Sequence, residues 1–248
     1  MIIDSENIGN STTELWMTEL NAWADAFGIP KDTMPQKDIE LLAKEKLWLD
    51  SIPITNLYLP LAKEYCLSEF AFFLIDDDWE EQPLIDLKNT VGASFLFGLQ
   101  TTSKRIDKLD VIDGTIICQP DEVKQVMNLF EVLSNRNGNL VPTNFDDLKK
   151  ALQFTRPAHF IQTTIIDTDR LDRAERAINI ILNQIPKGII LDSLILRVET
   201  DVDVSLEEYL VISSAIEDRI TEGTSHWYGS GVADEANCLR IEAVYMVD

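Results

Sequence analysis

Between Gly138 and Asp248 the hydrophobic residues switch repeatedly between a helical period and a strand period. That alternation restricts the segment to an α/β arrangement before composition is consulted. The pattern predicts a helix over Asn144–Gln153, a strand over Ala158–Ile166, a helix over Thr168–Asn183, and then strand, helix, strand and strand. Residues Leu191–Val198 suit a sheet with one covered face, with Leu191, Leu194, Leu196 and Val198 among the apolar positions. At Asp203-Val204-Ser205-Leu206-Glu207-Glu208 the chain restarts as a helix. Ser205 and Glu208 have the spacing of a capping box, in which each side chain reaches one of the helix's unpaired amides. Leu206, Leu210, Val211, Ala215 and Ile216 fall on one side of that helix and are expected to face the core.

The preceding 137 residues also mix helix and strand. A capping box at Ser11 and Glu14 opens a helix that ends at Gly28, with Trp16, Leu20, Trp23 and Phe27 on one face packed on its own domain. Pro35 starts a second helix that reaches about Leu49. Asn56–Cys66 reads as a short helical segment and Phe70–Ile75 as a buried strand. A helix over Leu84–Val91, strands over Ser94–Leu99 and Thr115–Gln119, and a helix over Asp121–Leu133 follow. Strands alternating with helices at these intervals indicate a parallel sheet with helices packed on it. The turn-rich cluster Asn135-Arg136-Asn137-Gly138 is the expected boundary between domains 1–137 and 138–248.

Particular residues of the second domain give it a family likeness. The run Asp169-Arg170-Leu171-Asp172-Arg173-Ala174-Glu175-Arg176-Ala177-Ile178 is similar to the "EDRA…AA..AI" helix of the tubulin and FtsZ superfamily. Strand Ser193–Val198 with Val204-Ser205-Leu206-Glu207-Glu208 resembles its "LxNITGGxDLTLEEV" element. Trp227 to Glu235 and then Leu239–Val247 resemble "IFGAVIDEEL…VRVTVIATGF", and Leu140 to Lys149 occupies the place of "LINLDFADVK". The resemblance implies an FtsZ/tubulin-like C-terminal α/β sandwich domain preceded by a reduced α/β domain with a parallel sheet. The central helix that joins the two domains in that family would correspond to about Glu122–Leu133 or to Asn144–Gln153.

GTP-driven polymerisation would be the implied activity, and the residues it needs are missing or replaced. Phosphate binding in the family uses a GGGTGTG loop, whose backbone amides close on the phosphates because no side chain blocks them. The chain has only ten glycines and no such run; Gly229-Ser230-Gly231, its one close pair, reads as a turn or bulge. In the "NxDxxD" loop that completes a neighbour's site, the Asn position is Pro142, the first Asp position is Asn144, and only Asp147 survives. An amide cannot act as a base, and proline lacks both a side-chain donor and an N–H. The expectation is therefore a protein that is not an enzyme and uses no cofactor or metal. It would associate with itself or with an FtsZ-like filament protein. Its candidate contact residues are Pro142, Asn144, Asp146 and Asp147 on the former catalytic loop and Asp203, Glu207 and Glu208 at the acidic helix start. The alternative is a small-ligand or metal-binding enzyme that uses the sheet edge at Asp76-Asp77-Asp78.

Charge excludes other partners. With 21 basic against 43 acidic residues the net charge is −22, so the basic surface that nucleic acid or an anionic membrane requires is lacking. The acid is uneven: 12 acidic and 2 basic residues lie from Glu199 onward, against 6 and 7 over Thr143–Gly188. The longest wholly apolar run, Phe70–Ile75, is too short to span a bilayer, and the first residues lack a signal-peptide pattern, so a cytoplasmic location is the expectation. Cys66, Cys118 and Cys238 are widely spaced within apolar stretches and read as buried free thiols. His159 and His226 have no metal-ligand spacing.

Overall fold

The computed structural model describes residues 52–60, 65–75, 79–103, 109–131, 133, 152, 154, 156–189, 191–201, 204–220, 224–233 and 235–247. The chain divides into two compact units, Met1–Ile52 and Pro53–Asp248, and the described residues beyond Ile52 belong to the second. The helices expected at Ser11–Phe27 and Pro35–Leu49 therefore lie outside them, as does almost all of Asn144–Gln153.

Eight strands make one sheet: β1 (Thr55–Tyr58), β2 (Phe70–Leu74), β3 (Phe95–Gln100), β4 (Gly114–Ile117), β5 (Ala158–Ile166), β6 (Leu191–Thr200), β7 (Ser225–Val232) and β8 (Cys238–Val247). Their order across the sheet is β1-β2-β3-β4-β5-β8-β6-β7. Neighbours from β1 to β5 are all parallel, β8 runs antiparallel to both β5 and β6, and β7 returns parallel to β6. The four C-terminal strands thus share one sheet, as the sequence likeness requires. The expected domain boundary at Asn135–Gly138 lies outside the described residues, and the strands on either side of it, β4 and β5, are hydrogen-bonded through Ile116↔Ala158 and Ile117↔His159.

Among the described residues four α-helices cover the sheet: α1 (Glu81–Val91), α2 (Val123–Glu131), α3 (Arg170–Gln184) and α4 (Leu206–Glu217). On one face α2 lays Val126, Leu129 and Phe130 onto Phe70, Phe72, Phe95 and Phe97, and this cluster runs on to Phe160, Ile195, Val244 and Met246. On the other face α1 covers β2 and β3 with Leu84, Leu87 and Val91, while α3 and α4 cover the C-terminal strands with Ala174, Ile178, Ile181, Ile212 and Ile216. Strands β2 and β3 are buried on both faces, which explains their nearly unbroken apolar sequence. Gly92 ends α1 at φ 62°, a left-handed conformation that glycine adopts without a Cβ penalty.

Three expectations fail here. The segment read as a helix over Asn56–Cys66 begins instead as strand β1, whose four residues pair in register with Phe70–Phe73. So short an edge strand has too few alternations to announce itself and is fixed by its neighbour. Gly229 and Gly231 lie inside β7, opposite Arg197 and Glu199, rather than in a turn. A Cβ on Gly231 would come within 3.0 Å of the Arg197 guanidinium, so glycine leaves room for that side chain. Cys66 is exposed and accepts a hydrogen bond from Asn56 Nδ2 at 2.9 Å; Cys118 and Cys238 are buried, and all three thiols are free.

Candidate functional site

Helix α4 begins as the sequence predicts. Ser205 Oγ accepts from the Glu208 amide at 3.2 Å, and Glu208 Oε2 accepts from the Ser205 amide at 3.0 Å, which closes the capping box. The rotation of the helix is not as expected. Glu208, Ile212 and Ile216 face inward, while Leu206 and Leu210, expected in the core, are 73% and 52% exposed. Arg173 supplies the reason. Its side chain, 1% exposed on α3, donates from Nε and Nη2 to Glu208 Oε1 at 3.1 and 3.0 Å. Glu208 is wholly buried, so turning it outward would strand a buried guanidinium, a cost of the same order as that of wetting two leucines.

The pair is anchored beyond the two helices. Asp201 lies 3.5 Å from Arg173 Nη1 and also accepts from the Asn237 amide at 2.8 Å. The Asn237 amide, with help from Arg173, holds the Asp201 carboxyl below its usual range. Asn237 itself stands at φ 55°, in the left-handed region. Among the proposed contact residues, Glu207 is exposed beside Leu206, whereas Glu208 is a structural clasp rather than a surface group. Pro142, Asn144, Asp146, Asp147 and Asp203 lie outside the described residues.

What α4 shows to solvent includes an apolar strip, beside the exposed Glu207, Ser214 and Glu217. Leu206, Tyr209 and Leu210 are all exposed, and Tyr209 stacks edge-on against Tyr228 of β7 with ring centroids 6.0 Å apart. Burial pushes the Tyr228 phenol up to about 12, aided by Tyr209 and Glu217. Strand β7 is an edge of the sheet, and its Val232 is 69% exposed. The eight residues Ser225–Val232 contain no Asp, Glu, Lys or Arg, in a chain of which 26% is charged. An uncharged edge strand flanked by exposed Leu, Tyr and Val lacks the features that normally prevent strand-to-strand association. Sequence reading misses this strip because periodicity assigns its leucines to the core.

The position where parallel α/β sheets hold phosphate is differently furnished. The connection from β2 to α1 reads Asp76-Asp77-Asp78-Trp79-Glu80-Glu81, with Glu80 the N-cap residue of α1 and Glu81 in its first turn. Asp76–Asp78 lie outside the described residues. A glycine loop at such a turn offers amides to a phosphate; five carboxylates within six residues oppose one. No group of three or more His, Cys, Asp or Glu side chains is disposed to hold a metal ion among the described residues. No helix there is long and apolar enough to cross a membrane.

Solved structures of known proteins share this architecture. The chain is similar to the empty FtsZ dimer of M. jannaschii, with 13% identity over 73% of this chain and 63% of that one and a TM-score of 0.53. It is also similar to GDP-bound monomeric CetZ1 from Haloferax volcanii, with 10% identity over 84% and 68% of the two chains and a TM-score of 0.51. The chain thus spans a little under two thirds of the length of the FtsZ it matches. No protein-family model matches it, and no curated protein does. The fold is tubulin/FtsZ-like: a mixed α/β structure with an eight-stranded sheet, as the residues of the second domain implied.

Proposed function

We propose that this chain is a non-catalytic FtsZ/tubulin-like protein that acts by association, with a second copy of itself or with a related filament protein. The observation that carries the reading is the exposed apolar strip of α4 beside the uncharged edge of β7. Leu206, Tyr209, Leu210 and Val232 together form a surface that a partner would remove from water. The M. jannaschii FtsZ of similar fold is a dimer, which supports self-association as a use of this architecture. The acidic β2–α1 turn and the replacements at Pro142 and Asn144 support the absence of GTP turnover.

Sedimentation velocity over a concentration series, with and without GTP and Mg²⁺, tests the reading. The expected result is a concentration-dependent dimer or larger species, insensitive to nucleotide and lost in the double variant Leu206→Ser/Leu210→Ser. Chains that stay monomeric throughout and do not bind an FtsZ filament would end the association model. A rise in melting temperature with GTP would end the non-catalytic one.

A further inference from the structure

The face of the sheet that carries α1, α3 and α4 is not covered evenly. The cluster under α1 stops at Ile75 and Leu96, and the cluster under α3 and α4 begins at Ile161 and Tyr245. Between them the registered row Gln100↔Ile117↔His159↔Tyr245 crosses the sheet at the carboxyl ends of β3 and β4, the amino end of β5 and the late part of β8. A cavity of about 350 Å³ stands over that row, a volume within the range of small-molecule sites.

Its lining has a definite chemistry. Ile75, Ile117, Pro157 and Val247 make an apolar floor, and the polar groups are Gln100, Thr115, Arg156 and His159. No carboxylate is among the described residues that line it. Arg156 makes no hydrogen bond or ion pair among the described residues, in contrast to Arg173, Arg176, Arg197 and Arg240, each of which is paired with one or more carboxylates. Burial moves the His159 imidazole below its ordinary range, so at pH 7 it is a neutral hydrogen-bonding group, ring-stacked on Tyr245 at 5.3 Å. One cation without a partner among the described residues, three neutral polar groups and an aliphatic floor match a ligand with one negative charge and an apolar body. A polyanion is disfavoured, because a single guanidinium must neutralise it.

We propose that this cavity is a binding site for a small organic monocarboxylate, whose carboxylate is held by Arg156 with Thr115 and His159 beside it and whose alkyl or aryl body lies on Ile75, Ile117 and Val247. The site is independent of the α4–β7 surface, so either can fail without the other.

Titration of the full chain with hexanoate, read by the methyl resonances of Ile75, Ile117 and Val247, tests the proposal, with hexan-1-ol, hexylammonium and glutarate as comparisons. Hexanoate is expected to shift those methyls with a Kd on the order of 1 mM or tighter, and about tenfold below that of the alcohol, the amine or the dianion. Arg156→Gln should reduce hexanoate to the level of hexanol while leaving the melting temperature unchanged, because the side chain is exposed and unpaired among the described residues. Equal binding of hexanoate and hexanol would overturn the proposal. So would hexanoate affinity unaltered in Arg156→Gln, or methyl shifts confined to other parts of the sheet.

Discussion

The two halves of the sheet are held together by different physics. Strands β1–β4 rest on aromatic packing: Phe97 alone has ring neighbours in Phe72, Phe95, Phe130 and Phe154, at centroid distances of 4.9 to 6.2 Å. Strands β5–β8 have an aliphatic core on one face and buried ions on both. Arg173 and Glu208 clasp α3 to α4, and on the opposite face Arg197, Glu199, Arg240 and Glu242 form a connected set across β6 and β8. Glu199 and Glu242 are only 6% and 1% exposed. Aromatic packing is indifferent to pH and tolerant of charge nearby, whereas a buried ion fixes one arrangement and makes it conditional on protonation. The C-terminal half should therefore titrate, and the N-terminal half should not.

The largest test of that difference is Glu208→Ala, which leaves Arg173 buried with only Asp201 at 3.5 Å and removes the Glu208 half of the α4 capping box. Chemical denaturation should show a loss of about 3–5 kcal/mol. The double variant Arg173→Met/Glu208→Leu should recover most of it; a double variant as unstable as the single one would show that the clasp is not acting as an ion pair. Phe97→Ala comes next, with an expected cost of about 3–5 kcal/mol from lost burial and the cavity left behind. This loss should be the same at pH 5 and pH 8.

A smaller effect concerns Glu242. Burial, with the Glu199 carboxylate beside it, raises the Glu242 carboxyl to about 7, against the lowering influence of Arg197 and Arg240. A folded-state value above the unfolded one means that the native state holds the proton more firmly. This group's contribution is therefore present below the ordinary carboxylate range, near 4.5, and is lost as pH rises through about 7. The unfolding free energy should decline across that window by an amount on the order of 3 kcal/mol, and Glu242→Gln should flatten the decline. An unchanged slope in Glu242→Gln would assign the titration elsewhere. Smallest of all is Leu206→Ser, expected to alter stability by no more than about 0.5 kcal/mol because the side chain is already in water. A loss well above that would mean that Leu206 is packed, and the association surface would disappear with it.

Legibility in the sequence follows the same division. Strand β5 is readable to the residue, and β6, β8, α3 and the cap of α4 nearly so, because each is long enough to show its own period or carries its own local signal. Strand β1 is not, since four edge residues hold no pattern apart from their partner. Glu208 is legible as a cap but not as half of an ion pair, because Arg173 lies 35 residues away and only packing brings them together. Leu206 and Leu210 are misassigned for that reason: helical periodicity ranks faces by hydrophobicity and cannot weigh a buried guanidinium against two leucines. The cavity over β4 is invisible, its walls coming from residues near 75, 100, 116, 157 and 247.

The position of β8 has a further consequence during synthesis. It is inserted between β5 and β6, so both must wait with their facing edges open until Cys238–Val247 has been made. Roughly seventy residues separate the end of β5 from the start of β8. At ribosomal speeds that interval lasts about 4–14 s, much longer than local elements take to form. Until then the edge of β5 that will face β8 presents unpaired backbone groups, a template for pairing with another chain.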